Sequence, residues 1–262
     1  MSEPIILVAT DDRGTATVTL NRPSIHNAFD DRLIAELTTV LRRLEADAAV
    51  RAVLLTGAGQ SFSAGGDLNW MRRMAGYSDA ENVADAVALA ELLRVLNELG
   101  KPTVARVNGA AFAGGLGLVS CCDIAVAAEE AIFCVSEVRL GLVPATISPY
   151  VVAAIGSRAA RRYFATAERF SAAEAQRIGL VHAVAPRAEL DAAVAKILEA
   201  LGEGAVGAQT RSKRLIAEVS DRPATETVRA LTARVIAEAR ASAEGREGLA
   251  AFFEKRKPGW RR

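Results

Sequence analysis

Three glycine-bearing segments are the places where this chain could do chemistry with its own backbone: Ser63-Ala64-Gly65-Gly66-Asp67, Asn108-Gly109-Ala110-Ala111-Phe112-Ala113-Gly114-Gly115, and Gly141-Leu142-Val143-Pro144. A residue without Cβ lets a ligand oxygen approach the main chain, so Gly65-Gly66 and Gly114-Gly115 could each present an N–H to a developing negative charge. Two such donors make an oxyanion hole. The other reading of each pair, taken singly, is a tight turn packed against a sheet. Neither is a phosphate cradle. The first lacks the Gly-Lys-Ser/Thr ending of a P-loop, and the second lacks the spacing and the distant acidic residue of a dinucleotide fingerprint, which disfavours nucleoside triphosphate chemistry.

Such donors need a rigid frame, and the flanking sequence supplies one. Ile5 to Ala9 and Thr15 to Leu20 are β-rich runs separated by Asp11, Asp12, Arg13 and Gly14, which predicts a hairpin. Asp31 to Ala46 sets Leu33, Ile34, Leu37, Val40, Leu41 and Leu44 at helical spacing, and Val50 to Thr56 reads as a buried strand. Val104 to Val107 and Asp123 to Ala127 add short strands, and Glu81 to Leu99 adds a helix, so the alternation predicts an α/β sheet stack. Beyond Pro144 the pattern is helical over 157–165, 172–178, 190–201, 206–219 and 225–240, with only Leu180 to Val184 reading as strand. Gly202, Gly204 and Gly207 set a soft boundary near 200, giving an expected core over 1–200 and a helical region over 201–262. The apolar content of the last helices points to packing on another subunit or on the chain's own core.

Composition removes several classes. With 262 residues, 51% hydrophobic and 24% charged, the chain suits one large core and is too apolar for wholesale disorder. Lys and Arg total 32 against 31 Asp and Glu, a net +1, which is not the basic footprint of a dedicated nucleic-acid binder. No apolar run of roughly 18 residues predicts a membrane span. Met1 to Asp12 has neither a secretory nor a mitochondrial leader pattern, so a cytoplasmic location is expected. Cys121, Cys122 and Cys134 fit buried, reduced thiols, and no His, Cys or carboxylate cluster has metal-ligand spacing, so no metal is expected.

Phe62-Ser63-Ala64-Gly65-Gly66-Asp67-Leu68, Lys101-Pro102-Thr103 through Val107-Asn108-Gly109, Gly114-Gly115 with Leu118, Cys122-Asp123-Ile124 and Glu137-Val138-Arg139-Leu140-Gly141 together resemble the crotonase (enoyl-CoA hydratase/isomerase) superfamily. Leu20-Asn21-Arg22-Pro23 with Asn27-Ala28, Ala175 to Val181, and Glu247-Gly248 followed by Phe252-Phe253-Glu254-Lys255-Arg256 extend the resemblance over essentially the whole chain. It implies an α/β fold, a crotonase-type spiral of repeated strand–strand–helix units with a C-terminal helical oligomerisation region that builds homotrimers, often paired into hexamers. It also implies a coenzyme A thioester as ligand, the coenzyme being part of the substrate and no separate cofactor being needed. The resemblance assigns the oxyanion hole to the N–H groups of Gly66 and Gly114, preorganised donors worth about 3–4 kcal/mol each. Ala64, Asp67, Leu68, Asn69 and Met71 become substrate contacts, with His26 in a loop that brushes the coenzyme and Lys255 in a segment that reaches its phosphates. Glu137 matches the family position of a catalytic carboxylate. Beside an apolar acyl pocket, desolvation would raise its affinity for protons toward what acid–base catalysis needs.

The chain departs from an ordinary enoyl-CoA hydratase at Gly117, which matches that enzyme's second catalytic Glu. Glu137 must then act as base and acid in turn, or another group must hold the water, and the space beside Gly117 is expected to be left for substrate or water. One carboxylate also suits double-bond isomerisation. A closer resemblance, through Asp67 to Met74, Val119 to Asp123, Phe133 to Arg139, Ile147 to Tyr150 and Ala159 to Phe164, is to bacterial methylglutaconyl-CoA and isohexenylglutaconyl-CoA hydratases, of leucine and terpene degradation. Their substrates carry a second carboxylate, for which Arg72 and Arg73 are the candidate cations. The expectation is a hydratase for a methylglutaconyl-like thioester, with a double-bond isomerase as the alternative. From another class comes a non-catalytic CoA- or RNA-binding relative, although Asp31 to Ala46 carries Arg32, Arg42 and Arg43 and no Lys.

Overall fold

The structure, a computed structural model, describes residues 3–261. Strands β1 (Ile6–Thr10) and β2 (Thr15–Leu20) form the expected hairpin, closed by Asp11 Oδ1, which accepts from the Arg13 and Thr15 N–H groups at 3.0 and 2.7 Å. Helix α1 (Asp31–Ala46) starts where Asp30 Oδ1 accepts from the Leu33 N–H at 2.8 Å. Its apolar stripe of Leu33, Ile34, Leu37, Leu41 and Leu44 is buried, and the chain then enters β3 (Ala52–Gly57). A short α2 (Leu68–Met74) and a long α3 (Asp79–Asn97), opened by a Ser78–Glu81 capping box, lead to β4 (Thr103–Val107). Next come β5 (Ala111–Phe112), α4 (Gly114–Cys121), β6 (Ile124–Ala128) and β7 (Ile132–Cys134). After α5 (Ser148–Thr166), β8 (Phe170–Ser171), α6 (Ala172–Arg177) and β9 (Ala183–Ala185), the chain ends in α7 (Leu190–Gly202), α8 (Val206–Val219), α9 (Glu226–Ala241) and α10 (Ala243–Phe253).

The main sheet runs β1-β2-β3-β4-β6-β9, antiparallel only between β1 and β2. Because β2, β3 and β4 are parallel, the segments that leave their carboxyl ends, after Leu20, Gly57 and Val107, emerge along one edge. Those are the segments that carry the glycine pairs and the Arg22-to-Asn27 loop. Period-two alternation sorts the strands between two layers: Val53, Leu55 and Ala105 belong to the core shared with Leu33, Leu37, Leu92 and Leu93, whereas Leu54, Val104 and Val126 pack with Leu190 and Val194 of α7. A small second sheet, β5-β7-β8, stands apart from the first.

Two sequence expectations shift. The helix read over 157–165 begins at Ser148, and Gly156, at φ +73, breaks its helical geometry between the two parts. The strand read over 180–184 is β9 at Ala183–Ala185, because the Leu180 N–H turns back to the Ala175 carbonyl at 2.8 Å to close α6. The second sheet, α2, α4 and α10 were not expected; β5 and β8 span two residues each and show no periodicity, and α4 opens on two glycines. No helix among the described residues is long and apolar enough to cross a membrane.

The contact that sets α4 against the 58–67 segment is tight. A Cβ on Gly115 would lie 2.5 Å from the Ser63 carbonyl oxygen, a backbone atom that cannot swing aside. Gly115→Ala should gain about 1 kcal/mol of helix propensity and lose about 1–3 kcal/mol or more to overpacking, for a net loss. A lowered urea midpoint with unchanged slope checks this, and an unchanged or raised midpoint contradicts it.

Candidate active site

The site is built from the loop after β2. Asn27, in the left-handed region at φ 54, donates through Nδ2 to the Ala58 and Ser61 carbonyls at 2.9 and 2.8 Å, while its own carbonyl accepts from Ser63 Oγ at 2.8 Å. The Ala64 N–H donates to the His26 carbonyl at 2.9 Å. Two further backbone bonds follow: Phe29 N–H to the Gly65 carbonyl at 2.7 Å, and Asp67 N–H to the Phe29 carbonyl at 2.6 Å. Phe29 thus pairs across Gly66 as a single parallel bridge. A peptide unit is planar and trans, so tying the Gly65 carbonyl to Phe29 turns the Gly66 N–H of that same unit the opposite way. That N–H finds no partner among the described residues. Gly65 sits at φ +91, where a Cβ would also come within 3.1 Å of Ala113 Cβ and 3.2 Å of the Phe112 carbonyl, so both terms require glycine.

The second segment is joined to the first. Ser63 and Ala111 form another isolated bridge, with Phe62 and Ser63 donating to the Ala110 carbonyl and Phe112 donating to the Ser63 carbonyl. Ala113, at φ 48, turns the chain into α4 and gives its carbonyl to the Gly117 N–H at 3.0 Å. By the same planarity the Gly114 N–H points out of the helix start, and it too finds no partner among the described residues. A Cβ on Gly114 would lie 2.6 Å from Phe29 Cε2. Phe29 therefore touches both donors' segments, one through its backbone and the other through its ring. Nothing in its residue type signalled this.

Glu137 is brought in by the small sheet. Phe112 pairs with Cys134, and the Ala113 N–H donates to the Cys134 carbonyl at 2.9 Å, so the chain arrives beside Gly114 before the 3-10 turn Glu137–Leu140. Glu137 Oε2 is buried and has no hydrogen-bond partner among the described residues. Burial pushes this carboxyl up from its ordinary range, opposed in part by the backbone N–H groups of Glu137 and Ser136. Two free amide donors and one carboxylate with an unpartnered oxygen and raised proton affinity are the parts for moving a proton on a carbon next to a carbonyl.

Gly117 differs from the expectation. The space beside it is filled: a Cβ there would lie 2.4 Å from Ile147 Cγ2 and 3.5 Å from Leu93 Cδ2, both on buried side chains. A side chain at this position would have to displace Ile147, which has packed onto the glycine just before α5.

The remaining candidates divide. Met71 lies against Gly66, its Sδ 3.3 Å from where a Cβ would stand. Both Asp67 oxygens are engaged: Oδ1 accepts from the Asn69 and Trp70 N–H groups at 2.8 and 3.2 Å, and Oδ2 meets Arg22 Nη2 at 3.1 Å. Burial alone would raise Asp67, but the Trp70 and Asn69 N–H groups and the Arg22 guanidinium hold it below its ordinary value. Ala64 is half-buried, and Leu68 is 70% exposed. Asn69 Oδ1 accepts from Arg72 Nη1 at 2.9 Å, and Arg73 meets Asp31 at 2.6 Å, so both candidate cations are engaged locally. His26 is exposed and shares a 3.0 Å bond between Nδ1 and Ser61 Oγ. Lys255 follows α10, and no contact among the described residues joins it to Gly66, Gly114 or Glu137. Burial pushes Cys122 up to about 12 and raises Cys121 and Cys134, which leaves all three as protonated thiols. No group of three or more His, Cys, Asp or Glu among the described residues could hold a metal.

The sequence matches the enoyl-CoA hydratase/isomerase family over residues 10–262. A crystal structure of an enoyl-CoA hydratase from Shewanella pealeana superposes with a TM-score of 0.95 at 44% identity, covering 98% of this chain and 96% of that one. An enoyl-CoA hydratase from Mycobacterium smegmatis gives 0.92 at 33% identity, covering 98% and 99%. A short-chain-enoyl-CoA hydratase of Clostridium acetobutylicum is 33% identical over 244 residues, 92% of each chain. The chain has the crotonase fold and is an enzyme of the enoyl-CoA hydratase/isomerase family.

Proposed function

We propose that the enzyme adds water to an α,β-unsaturated acyl-CoA thioester, with Gly66 and Gly114 as oxyanion donors and Glu137 as the only catalytic carboxylate. The observation that carries this reading is the conjunction beside Phe29 of two unpartnered N–H groups with a chain path that delivers the unpartnered Glu137 oxygen. The thioester oxygen accepts from both N–H groups. Glu137 takes a proton from water as the oxygen bonds to the β-carbon, and the enolate charge collects on the oxygen the donors hold. Glu137 then returns the proton to the α-carbon. Ala64, Leu68, Asn69 and Met71 flank the acyl and pantetheine path in this reading, with Asp67 holding the segment in place. His26 and Lys255 serve the coenzyme's nucleotide end.

For the acyl group we favour a methylglutaconyl-like chain, as in leucine breakdown, on the sequence resemblance of the 67–74, 119–123 and 147–150 segments. We place the enzyme in the cytoplasm, which suits three free, buried cysteines. We also propose that residues 201–262 act as an assembly region that builds a homotrimer or a dimer of trimers. Its support is exposed apolar surface: Phe252 at 76%, Phe253 at 75% and Ile216 at 64%.

Four outcomes are expected. Crotonyl-CoA, a β,γ-enoyl-CoA and methylglutaconyl-CoA, followed at the enoyl thioester absorbance, should give hydration, with methylglutaconyl-CoA the fastest; conversion of the β,γ-substrate alone would make the enzyme an isomerase. Glu137→Gln should lower turnover at least about a hundredfold and leave thioester binding within a few-fold, and near-normal turnover removes Glu137 from the mechanism.

The same variant has a second signature. Glu137's folded carboxyl binds its proton more tightly than an unfolded one, so it adds stability in acid that is lost as pH rises through its raised value. Glu137→Gln should therefore melt higher than the unaltered enzyme near about pH 7, with the gain shrinking toward about pH 4. A pH-independent difference contradicts this. Finally, Phe252→Asp combined with Phe253→Asp should dissociate the assembly by light scattering at micromolar concentration, whereas an unaltered enzyme that is already monomeric overturns the assembly proposal.

A further inference from the structure

We propose that Arg22 is a positioning residue for the Gly66 donor, a role that rests on the reading of Gly66 and Gly114 as donors to a thioester oxygen. The direction of the Gly66 N–H is set by the Gly65 carbonyl, which the Phe29 N–H holds at 2.7 Å. Whatever fixes Phe29 against the 65–67 segment therefore aims the donor.

Arg22 grips both sides of that pairing. Its Nη1 donates to the Ala28 carbonyl at 2.8 Å, and its Nη2 meets Asp30 Oδ2 at 2.9 Å, so the residues before and after Phe29 are tied to one guanidinium. The same Nη2 meets Asp67 Oδ2 at 3.1 Å, and Asp67 is the residue after Gly66. Each carboxylate spends its other oxygen on a helix start: Asp30 Oδ1 on the Leu33 N–H of α1, and Asp67 Oδ1 on the Asn69 and Trp70 N–H groups of α2. Two capped helices and the donor strand thus meet at a single cation. Its side chain is 17% exposed, beside carboxylates at 18% and 10%, so the pairing is weakly screened and the loss of either partner strands a charge.

A lysine could not replace it. Only a planar fork reaches three acceptors from fixed directions, whereas an ammonium on a flexible stem holds one or two. Donor geometry matters steeply here, since a misplacement of about 1 Å in a reacting constellation can cost about a hundredfold in rate.

The test compares the full-length enzyme with Arg22→Lys and Asp67→Asn. Asparagine keeps the α2 cap through its oxygen and turns an amide donor toward Arg22, so it breaks the clamp while sparing the helix start, and it keeps the test alive if the lysine variant does not fold. Three readouts are taken per folded molecule: binding of butyryl-CoA, turnover of crotonyl-CoA, and the enolate absorbance of bound acetoacetyl-CoA, which reports charge held by the oxyanion donors. Expected is butyryl-CoA binding within about threefold, with turnover and enolate signal falling together at least tenfold. The double variant should cost no more than the worse single one. If both variants melt lower but keep turnover and enolate signal, or lose butyryl-CoA binding in the same proportion, Arg22 is structural only and the proposal is overturned. If the unaltered enzyme gives neither turnover nor enolate signal, the reading of the site falls and takes this proposal with it.

Discussion

A backbone N–H withdrawn from water is almost always paired, and the architecture around this site depends on leaving two half-buried ones, at Gly66 and Gly114, without a partner among the described residues. The solution is indirect. Neither Gly66 nor Gly114 is held by its own N–H. Each is aimed by the carbonyl of the preceding residue, Gly65 bonded to Phe29 and Ala113 bonded to Gly117. The parallel order of β2, β3 and β4 is what makes this affordable, because it sends the three segments that supply these bonds out along one edge.

Charge is distributed on the same logic. Asp30 and Asp67 each accept from backbone N–H groups at a helix start and share Arg22, so their work is to fix geometry. Glu137 receives the opposite treatment, with Oε2 buried and without a hydrogen-bond partner among the described residues. A fully satisfied carboxylate would hold its charge and give the proton up too readily. Leaving Glu137 short of partners raises its affinity for the proton, at some expense in stability, which is a familiar trade at functional sites.

Much of the frame was legible in the sequence because its signals are local. Helix α1 was read at its observed limits from the helical spacing of Leu33 to Leu44, which marks the buried face, and β2 follows just as directly from Thr15 to Leu20. The glycine pairs were visible as places where a backbone could be approached, but which N–H groups stay free is decided by long-range bonds that no window of sequence contains. Phe29 is the clearest case: as a residue it reads as one more core aromatic, and its role exists only because β2 and β3 bring Gly65 beside it. Arg22 and Asp67 were noticed as motif letters, yet their pairing across 45 positions is a tertiary fact. The small sheet that delivers Glu137 has strands of two and three residues, too short for any period to register.

Position 117 bears directly on the mechanism. Its missing side chain is not an open place in the site but one half of a packing arrangement, since Ile147 at the head of α5 and Leu93 on α3 close over the glycine from two other helices. The lack of a side chain at 117 is therefore built into the meeting of α4 with α3 and the head of α5, and a carboxylate there would first have to displace Ile147. A lone carboxylate carries one proton between two positions, from water to the α-carbon in hydration or between the α- and γ-carbons in isomerisation. In the proposed reading the Gly66 and Gly114 donors serve either course, because both collect the same charge on the same thioester oxygen. What separates the two reactions at such a site is whether a water or a γ C–H rests against Glu137, so the choice lies in how the acyl group is seated and not in the backbone donors.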